Sequence, residues 1–254
     1  IDKVNNKPKI SIITPTRRRP DLLYRCIKAI QLSTLQEYEH IIVGDNCTYA
    51  KQVCDLFLDD KRIKYYETPS PHVWNAGASG KNIGISKSTT EYIVYCDDDN
   101  IMLPNHLEVM YNELSSGTPI CRSLLYEINL PKGAGSIKKV LEFPITNPSL
   151  QGGKSHRNDM QCIGHTKEVI KAVGYWNTAE QIQNDTSWSR TATSEDDYLL
   201  RKFKNKFGPN FYKDLPDITF LYYGRAACQN LDNDYDSRLE NNKLFIYPNL
   251  ISEY

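Results

Sequence analysis

"KISIITPTRRRPDLLYRCIKAI", residues 9–30, joins a short β-branched run to an amphipathic segment through a connection rich in proline and arginine. Pro15 closes the run "KISIIT" (9–14), and Pro20 stands where the first turn of a helix accepts a proline without losing a hydrogen bond. Leu23, Ile27 and Ile30 then recur at helical spacing. The stretch reads as strand, loop and helix, and the same unit repeats downstream. "HIIVGDN" (40–46) is a second apolar strand, "KQVCDLFL" (51–58) a helix, "RIKYYE" (62–67) a strand, "ASGKNIGISKS" (78–88) a helix and "YIVYC" (92–96) a strand. Strands alternating with helices predict an α/β fold, with a mostly parallel central sheet covered by helices on both faces.

Beyond residue 103 the pattern loosens. "PNHLEVMYNEL" (104–114) predicts a helix opened by Pro104, followed by extended segments at 120–130 and 137–143. "PKGAG" reads as a hairpin turn and "PITNPSLQGGKSHRND" as a long loop. Helices follow over 166–174 and 194–208, the second with Ser194 as its cap and Glu195, Asp196 and Asp197 in its first turn, where the helix dipole favours them. A single domain over 1–254 is expected, in two halves: 1–115 is the regular half and 116–254 a smaller irregular part.

Composition excludes several classes. Lys+Arg and Asp+Glu are 31 each, so no global charge draws a polyanion, and nucleic acid is not expected as a partner. The longest apolar runs, such as Ile10–Ile13 and Ile41–Val43, fall far short of the ~20 residues of a membrane span. "IDKVNNKPK" at the start lacks the apolar centre of a signal peptide, and a cytoplasmic location is expected, with peripheral membrane association left open. Seven cysteines, widely spaced and without a C-x-x-C pair, argue against a zinc site or a disulfide framework and suit buried thiols in a reducing compartment.

In open parallel sheets ligands bind beyond the carboxyl ends of the strands, near a switch in strand order. The polar residues there are Thr14-Pro15-Thr16, Gly44-Asp45-Asn46 and Asp97-Asp98-Asp99. Three adjacent aspartates repel one another, and a bound cation or a ring of donors would offset that cost. Magnesium and manganese prefer such oxygen ligands. If the segment stays extended, Asp97 and Asp99 share a face and Asp98 takes the other. A metal bridging two phosphates of a nucleotide would account for the cluster; the plain alternative is a solvated turn capping the next helix. Asp45 alone reads as a turn former. Arg17–Arg19 could clamp a diphosphate at a helix N-terminus or stay solvated.

"ISIITPTRRRPDLLYRCIKAIQLSTLQEYEHIIVGDNCT", "GKNIGISKSTTEYIVYCDDDN" and "SEDDYLLRKF" together resemble, in order and spacing, the family 2 glycosyltransferases of the GT-A (Rossmann-like) fold. The resemblance is good over the first ~110 residues and looser over 160–203. It implies transfer of a sugar from a nucleotide-diphosphate sugar, UDP-linked by preference, to a hydroxyl on a glycan, lipid-linked or small-molecule acceptor, with inversion and with Mn2+ or Mg2+. It makes 1–115 the nucleotide-sugar half and 116–254 the acceptor half. Pro15, Thr16 and Arg18 would line the nucleotide pocket, Asp45 would accept from the base, and Lys81 would lie near phosphate or ribose. Asp97 and Asp98 would border ribose or sugar, and Asp99 would ligate the cation. Of Glu195, Asp196 and Asp197, Asp196 is the expected base, because both alignments of the Glu-Asp pair include it. The family's first strand-two aspartate is Gly44 here, its Gly-Ser is Asn46-Cys47 and its frequent Arg is Lys81, which leaves the base identity open.

The alternatives are a sugar-phosphate nucleotidyltransferase, which would want a glycine-rich loop where "TPTRRRP" has none, and a phosphatase-type hydrolase, whose nucleophile would follow the first strand. A non-catalytic sugar-nucleotide or glycan-binding domain is a third. Trp176, Trp188 and the loop 146–159 could form the acceptor surface, and Trp74 reads equally as part of a donor-side loop or as a packed residue beside a turn. His156 and His165 read first as ordinary structural histidines, with closure of the phosphate site the alternative, and Arg225 reads either way. A homodimer is left open, and the lack of a long extension after residue 254 disfavours a polymerising synthase.

Overall fold

The computed structural model describes residues 7–69, 77–128, 152–155, 159–178, 181–182 and 195–223. The chain runs β1 (Ile10–Thr16), α1 (Pro20–Gln31), β2 (Tyr38–Gly44), α2 (Thr48–Asp55), β3 (Ile63–Glu67), α3 (Ala78–Lys87), β4 (Tyr92–Tyr95), β5 (Ile101–Met102) and α4 (His106–Ser115). It continues through β6 (Ile120–Ile128), β7 (Gly152–Ser155), a 3-10 turn (Met160–Cys162), β8 (Ile163–Thr166), α5 (Lys167–Val173), α6 (Glu195–Phe207) and β9 (Lys213–Tyr223).

The strands form one sheet in the order β3-β2-β1-β4-β8-β6-β9-β5, with β7 paired to β6. β3, β2, β1 and β4 are all parallel, as the alternating pattern predicts. β8 then enters antiparallel to both β4 and β6. The chain fills β1, β2 and β3 in one direction and returns to place β4 on the other side of β1, so the switch point lies between β1 and β4. Thr14–Thr16 and Asp97–Asp99 flank that crevice.

Alternation along β1 divides the core. Ile10 and Ile12 pack with Cys26, Ile30, Leu107 and Met110 under α1 and α4, while Ile13 joins Ala78, Ile85, Val169, Leu199 and Phe203 beneath α3, α5 and α6. Helices thus cover both faces. The six described cysteines are all buried, and Cys228 lies outside the described residues. No described helix is long and apolar enough to cross a membrane. Ser194, the segment 137–143 and the "PKGAG" turn also lie outside the described residues.

α3 sits unusually close to β1 because glycines face the strand. A Cβ on Gly84 would lie 2.4 Å from Ile13 Cγ2, and one on Gly80 would lie 3.1 Å from Pro15 Cβ. Gly77, at φ +92°, starts the helix in a conformation that other residues rarely adopt. This close approach carries the next residue, Lys81, into the switch-point crevice. Gly84→Ala should therefore cost about 1–3 kcal/mol through forced repacking against Ile13, read as a lower urea midpoint with an unchanged slope.

Candidate active site

Cys96 N–H still donates to the Ile13 carbonyl of β1 at 3.1 Å, but Asp98 and Asp99 already stand in a turn. The expected alternation of three side chains along a strand therefore does not hold. Instead one guanidinium gathers the last two: Arg19 Nη1 donates to Asp98 Oδ1 at 3.2 Å and to Asp99 Oδ2 at 3.1 Å. Thr16, at the end of β1, donates its hydroxyl to Asp98 Oδ2 at 2.6 Å. Arg25 Nη2 holds the Asp99 carbonyl at 2.9 Å, and Asn100 Nδ2 donates to Asp99 Oδ1 at 2.9 Å. Burial pushes the Asp98 carboxyl above the usual range despite the pull of Arg19.

Asp97 faces the other way. Its Oδ2 accepts from Gln161 Nε2 at 3.1 Å, and its Oδ1, buried and without a hydrogen-bond partner, stands 3.8 Å from Lys81 Nζ. Lys81 is the centre of this side of the crevice. Its ammonium lies 3.4 Å from Asp196 Oδ1 and 3.9 Å from Glu195 Oε1, both from the first turn of α6, and 4.3 Å from the centre of the Trp176 ring. Only 2% of its side chain is exposed. Burial opposes the charge, but Asp196, Asp97, Glu195 and Asp159 outweigh it and raise the pKa of Lys81. Around it, burial and mutual repulsion lift Asp97, while burial pushes Glu195 and Asp159 up to about 7. Among the described residues, Asp97, Asp159, Glu195 and Asp196 all act on this one ammonium.

At the end of β2, Asp45 Oδ1 accepts from the Thr68 hydroxyl at 2.9 Å, and its Oδ2 lies 3.7 Å from Arg17 Nη1. Arg18 is exposed at φ +52°, with its backbone N–H directed to Cys47 Sγ at 3.1 Å. Pro15 packs beneath Gly77 and Gly80. Asp197 follows Asp196 in the first turn of α6. The crevice thus collects Thr16, Arg19, Lys81, Asp97, Asp98, Asp99, Glu195 and Asp196.

One aromatic expectation is corrected. Trp176 is 2% exposed and donates from Nε1 to Tyr95 Oη at 3.2 Å, so it is a floor for Lys81 and not an acceptor surface. His165 is fully buried and pairs through Nε2 with Tyr95 Oη at 2.8 Å, as its reading as an ordinary structural histidine has it. Both pack with apolar residues of α5 and α6. Trp74, Trp188, His156 and Arg225 lie outside the described residues, as does the loop at 146–151 and 156–158. Asp159 and Gln161 were not singled out in sequence; they stand at the end of a loop-like segment with no periodicity, and only the fold brings them to β4.

A central parallel sheet with an acidic turn at its switch point, faced by carboxylates from a late helix, is the architecture of the GT-A class. The chain belongs to glycosyl transferase family 2, whose model matches residues 11–161. Among curated relatives it is 33% identical over 113 residues to the GalNAc(5)-diNAcBac-PP-undecaprenol beta-1,3-glucosyltransferase of Campylobacter jejuni, a match covering 43% of this chain and 36% of that protein's length. Among solved structures it resembles S. aureus TarS 1–349 in complex with UDP at a TM-score of 0.61 and 13% identity, covering 85% of this chain and 60% of that one. The mannosyltransferase PcManGT from Pyrobaculum calidifontis, in complex with GDP-Man and Mn2+, matches at a TM-score of 0.55 and 12% identity, covering 86% and 57%. The family does not favour the nucleotidyltransferase alternative.

Proposed function

We propose that this chain transfers a sugar from a nucleotide-diphosphate sugar to an acceptor hydroxyl, with inversion at the anomeric carbon and with a divalent cation. The observation that carries the reading is the convergence on Lys81, where Asp97 from the β4 turn and Asp196 from α6 stand on either side of one ammonium. A donor seated at the β4 turn would present its anomeric carbon towards the α6 carboxylates.

The donor set suits a hard cation. Asp99 brings carboxylate oxygens to the turn after β4, where they accept from Arg19 and Asn100. Among the described residues no three such groups are assembled as a ready-made metal cage. That fits Mg2+ or Mn2+ held by one or two carboxylates together with substrate phosphates. Asp99 would hold the ion with the diphosphate. When bound, the cation supplies charge neutralisation to the departing diphosphate.

The chain's own residues do the rest. Asp45 accepts from the base, with Pro15, Thr16 and Arg18 lining the nucleotide side. Asp196 takes the proton from the acceptor hydroxyl as its oxygen bonds to the anomeric carbon and the bond to the diphosphate oxygen breaks. Asp196 is preferred over Glu195 because its side chain is 25% exposed, against 12% for Glu195, and a base must reach an incoming acceptor. Lys81 orients Asp196 and Asp97 together. A UDP donor is supported by the UDP-bound neighbour, and a lipid-linked acceptor by the undecaprenol-linked glycan for which the Campylobacter relative is named.

Incubation with UDP-, GDP-, TDP- and CDP-sugars and a polyprenol-diphosphate glycan should release one nucleoside diphosphate, with EDTA suppressing release and manganese restoring it. NMR of a product with inverted anomeric configuration completes the test. Release that is indifferent to EDTA, or a retained configuration, overturns the corresponding part of the reading.

A further inference from the structure

The 3-10 turn Met160–Cys162 packs against the end of β4, and Asp159 caps it by accepting from the Gln161 backbone N–H at 3.1 Å. That cap fixes the Gln161 side chain, which is 5% exposed, against the acidic turn. Its Nε2 donates to Asp97 Oδ2 at 3.1 Å, which also sets the amide's orientation, because the reverse orientation would oppose two acceptors. Among the described residues Gln161 Oε1 is buried and lacks a hydrogen-bond partner, and Asp97 Oδ1 lacks one too, although the Lys81 ammonium faces it at 3.8 Å. Buried acceptors are paired in native proteins as a rule, so the unpaired Gln161 oxygen beside the acidic turn calls for a donor.

We propose that Gln161 Oε1 accepts the hydrogen bond of one hydroxyl of the donor, with Asp97 Oδ1 beside it for a second hydroxyl, which makes Gln161 a specificity-determining residue. The inference rests on the proposed function, since it takes the crevice to be the nucleotide-sugar site. A hydroxyl is the fitting chemistry: it donates to a neutral amide oxygen and a carboxylate alike, whereas a phosphate would meet two acceptors. Ribose and the transferred sugar both carry such hydroxyls. Sites built to bond a substrate hydroxyl reject the analogue that lacks it, because their own polar groups are then left unpaired.

The test is titration calorimetry in manganese with whichever of UDP, GDP, TDP or CDP the wild type binds best, its 2′-deoxy and 3′-deoxy forms, and its glucose, N-acetylglucosamine and mannose conjugates. The wild type should lose about tenfold or more in affinity for one ligand lacking the hydroxyl. Gln161→Met should lose a similar factor for the complete ligand and nothing further for the deficient one, since a shared contact can be removed only once. Loss confined to the deoxy nucleotides assigns the ribose, and loss confined to particular conjugates assigns the sugar. A purely structural Gln161 would weaken every ligand alike. A wild type that binds all these ligands equally overturns the inference even if the variant fails to fold. A wild type that binds no nucleotide overturns the proposed function, and this inference with it.

Discussion

Asp196→Asn should lower kcat by about a hundred- to ten-thousand-fold while leaving donor affinity near that of the wild type. The range is that of a lost general base, and preserved affinity follows if, as proposed, Asp196 meets the acceptor hydroxyl and not the nucleotide. The asparagine keeps the shape and an oxygen within reach of Lys81 Nζ, now at 3.4 Å from Asp196 Oδ1, so the crevice should stay assembled. Glu195→Gln, at the deeper position, should lose less. Steady-state kinetics separate these outcomes, since a group used only in the transition state lowers kcat and kcat/KM together. Equal losses in both variants would move the base to the pair as a unit, and a variant with full turnover would remove Asp196 from the chemistry.

Lys81→Met carries the largest expected cost in stability, about 3–5 kcal/mol at neutral pH. Removing one partner of a buried ionic cluster leaves the remaining charges uncompensated, and here Asp97, Glu195 and Asp196 all face the lost ammonium within 4 Å. The penalty should depend on pH in a definite direction. Glu195 and Asp159 already sit near 7 in the folded protein, above their ordinary values, so the folded state binds more protons than the unfolded one between about 4 and 7. Stability from these groups is greatest below that window and falls as pH rises through it. Without Lys81 the fall steepens. Urea midpoints at pH 5 and pH 8 should thus differ more in the variant than in the wild type, and equal differences would mean that Lys81 does not compensate these carboxylates.

Much of the first half was legible because each element satisfied a single rule. β1 to β4 are β-branched runs bounded by proline, glycine or aspartate, and α1 shows its buried stripe at Leu23, Ile27 and Ile30. The glycines of α3 were visible, but their purpose needs the neighbouring strand. β9 went unrecognised because Pro216 interrupts it. The structure accommodates the proline where the register with β6 shifts, between the pairs Arg122–Asp214 and Leu124–Ile218. β8 went unrecognised too, since four residues entering antiparallel between β4 and β6 carry no pattern of their own.

The site was legible in part. The aspartates of the β4 turn and the acidic start of α6 stood out as charges that needed a reason. Their partners did not: Gln161 and Asp159 become meaningful only through contacts between distant segments, and Arg19, visible as a candidate diphosphate clamp, instead pairs with Asp98 and Asp99. Trp176 misled for a related reason: an aromatic among polar residues suits a sugar ring equally well in sequence, and only burial shows it beneath Lys81.

If the acidic turn after β4 is a cation-dependent site for a nucleoside diphosphate, calorimetric titration of UDP, GDP, TDP and CDP into the wild type and Asp99→Asn, each with and without manganese, should show it. Micromolar binding of one nucleotide, dependent on manganese and lost in the variant, is expected. Binding by none of the four, or binding indifferent to both manganese and Asp99, would contradict it.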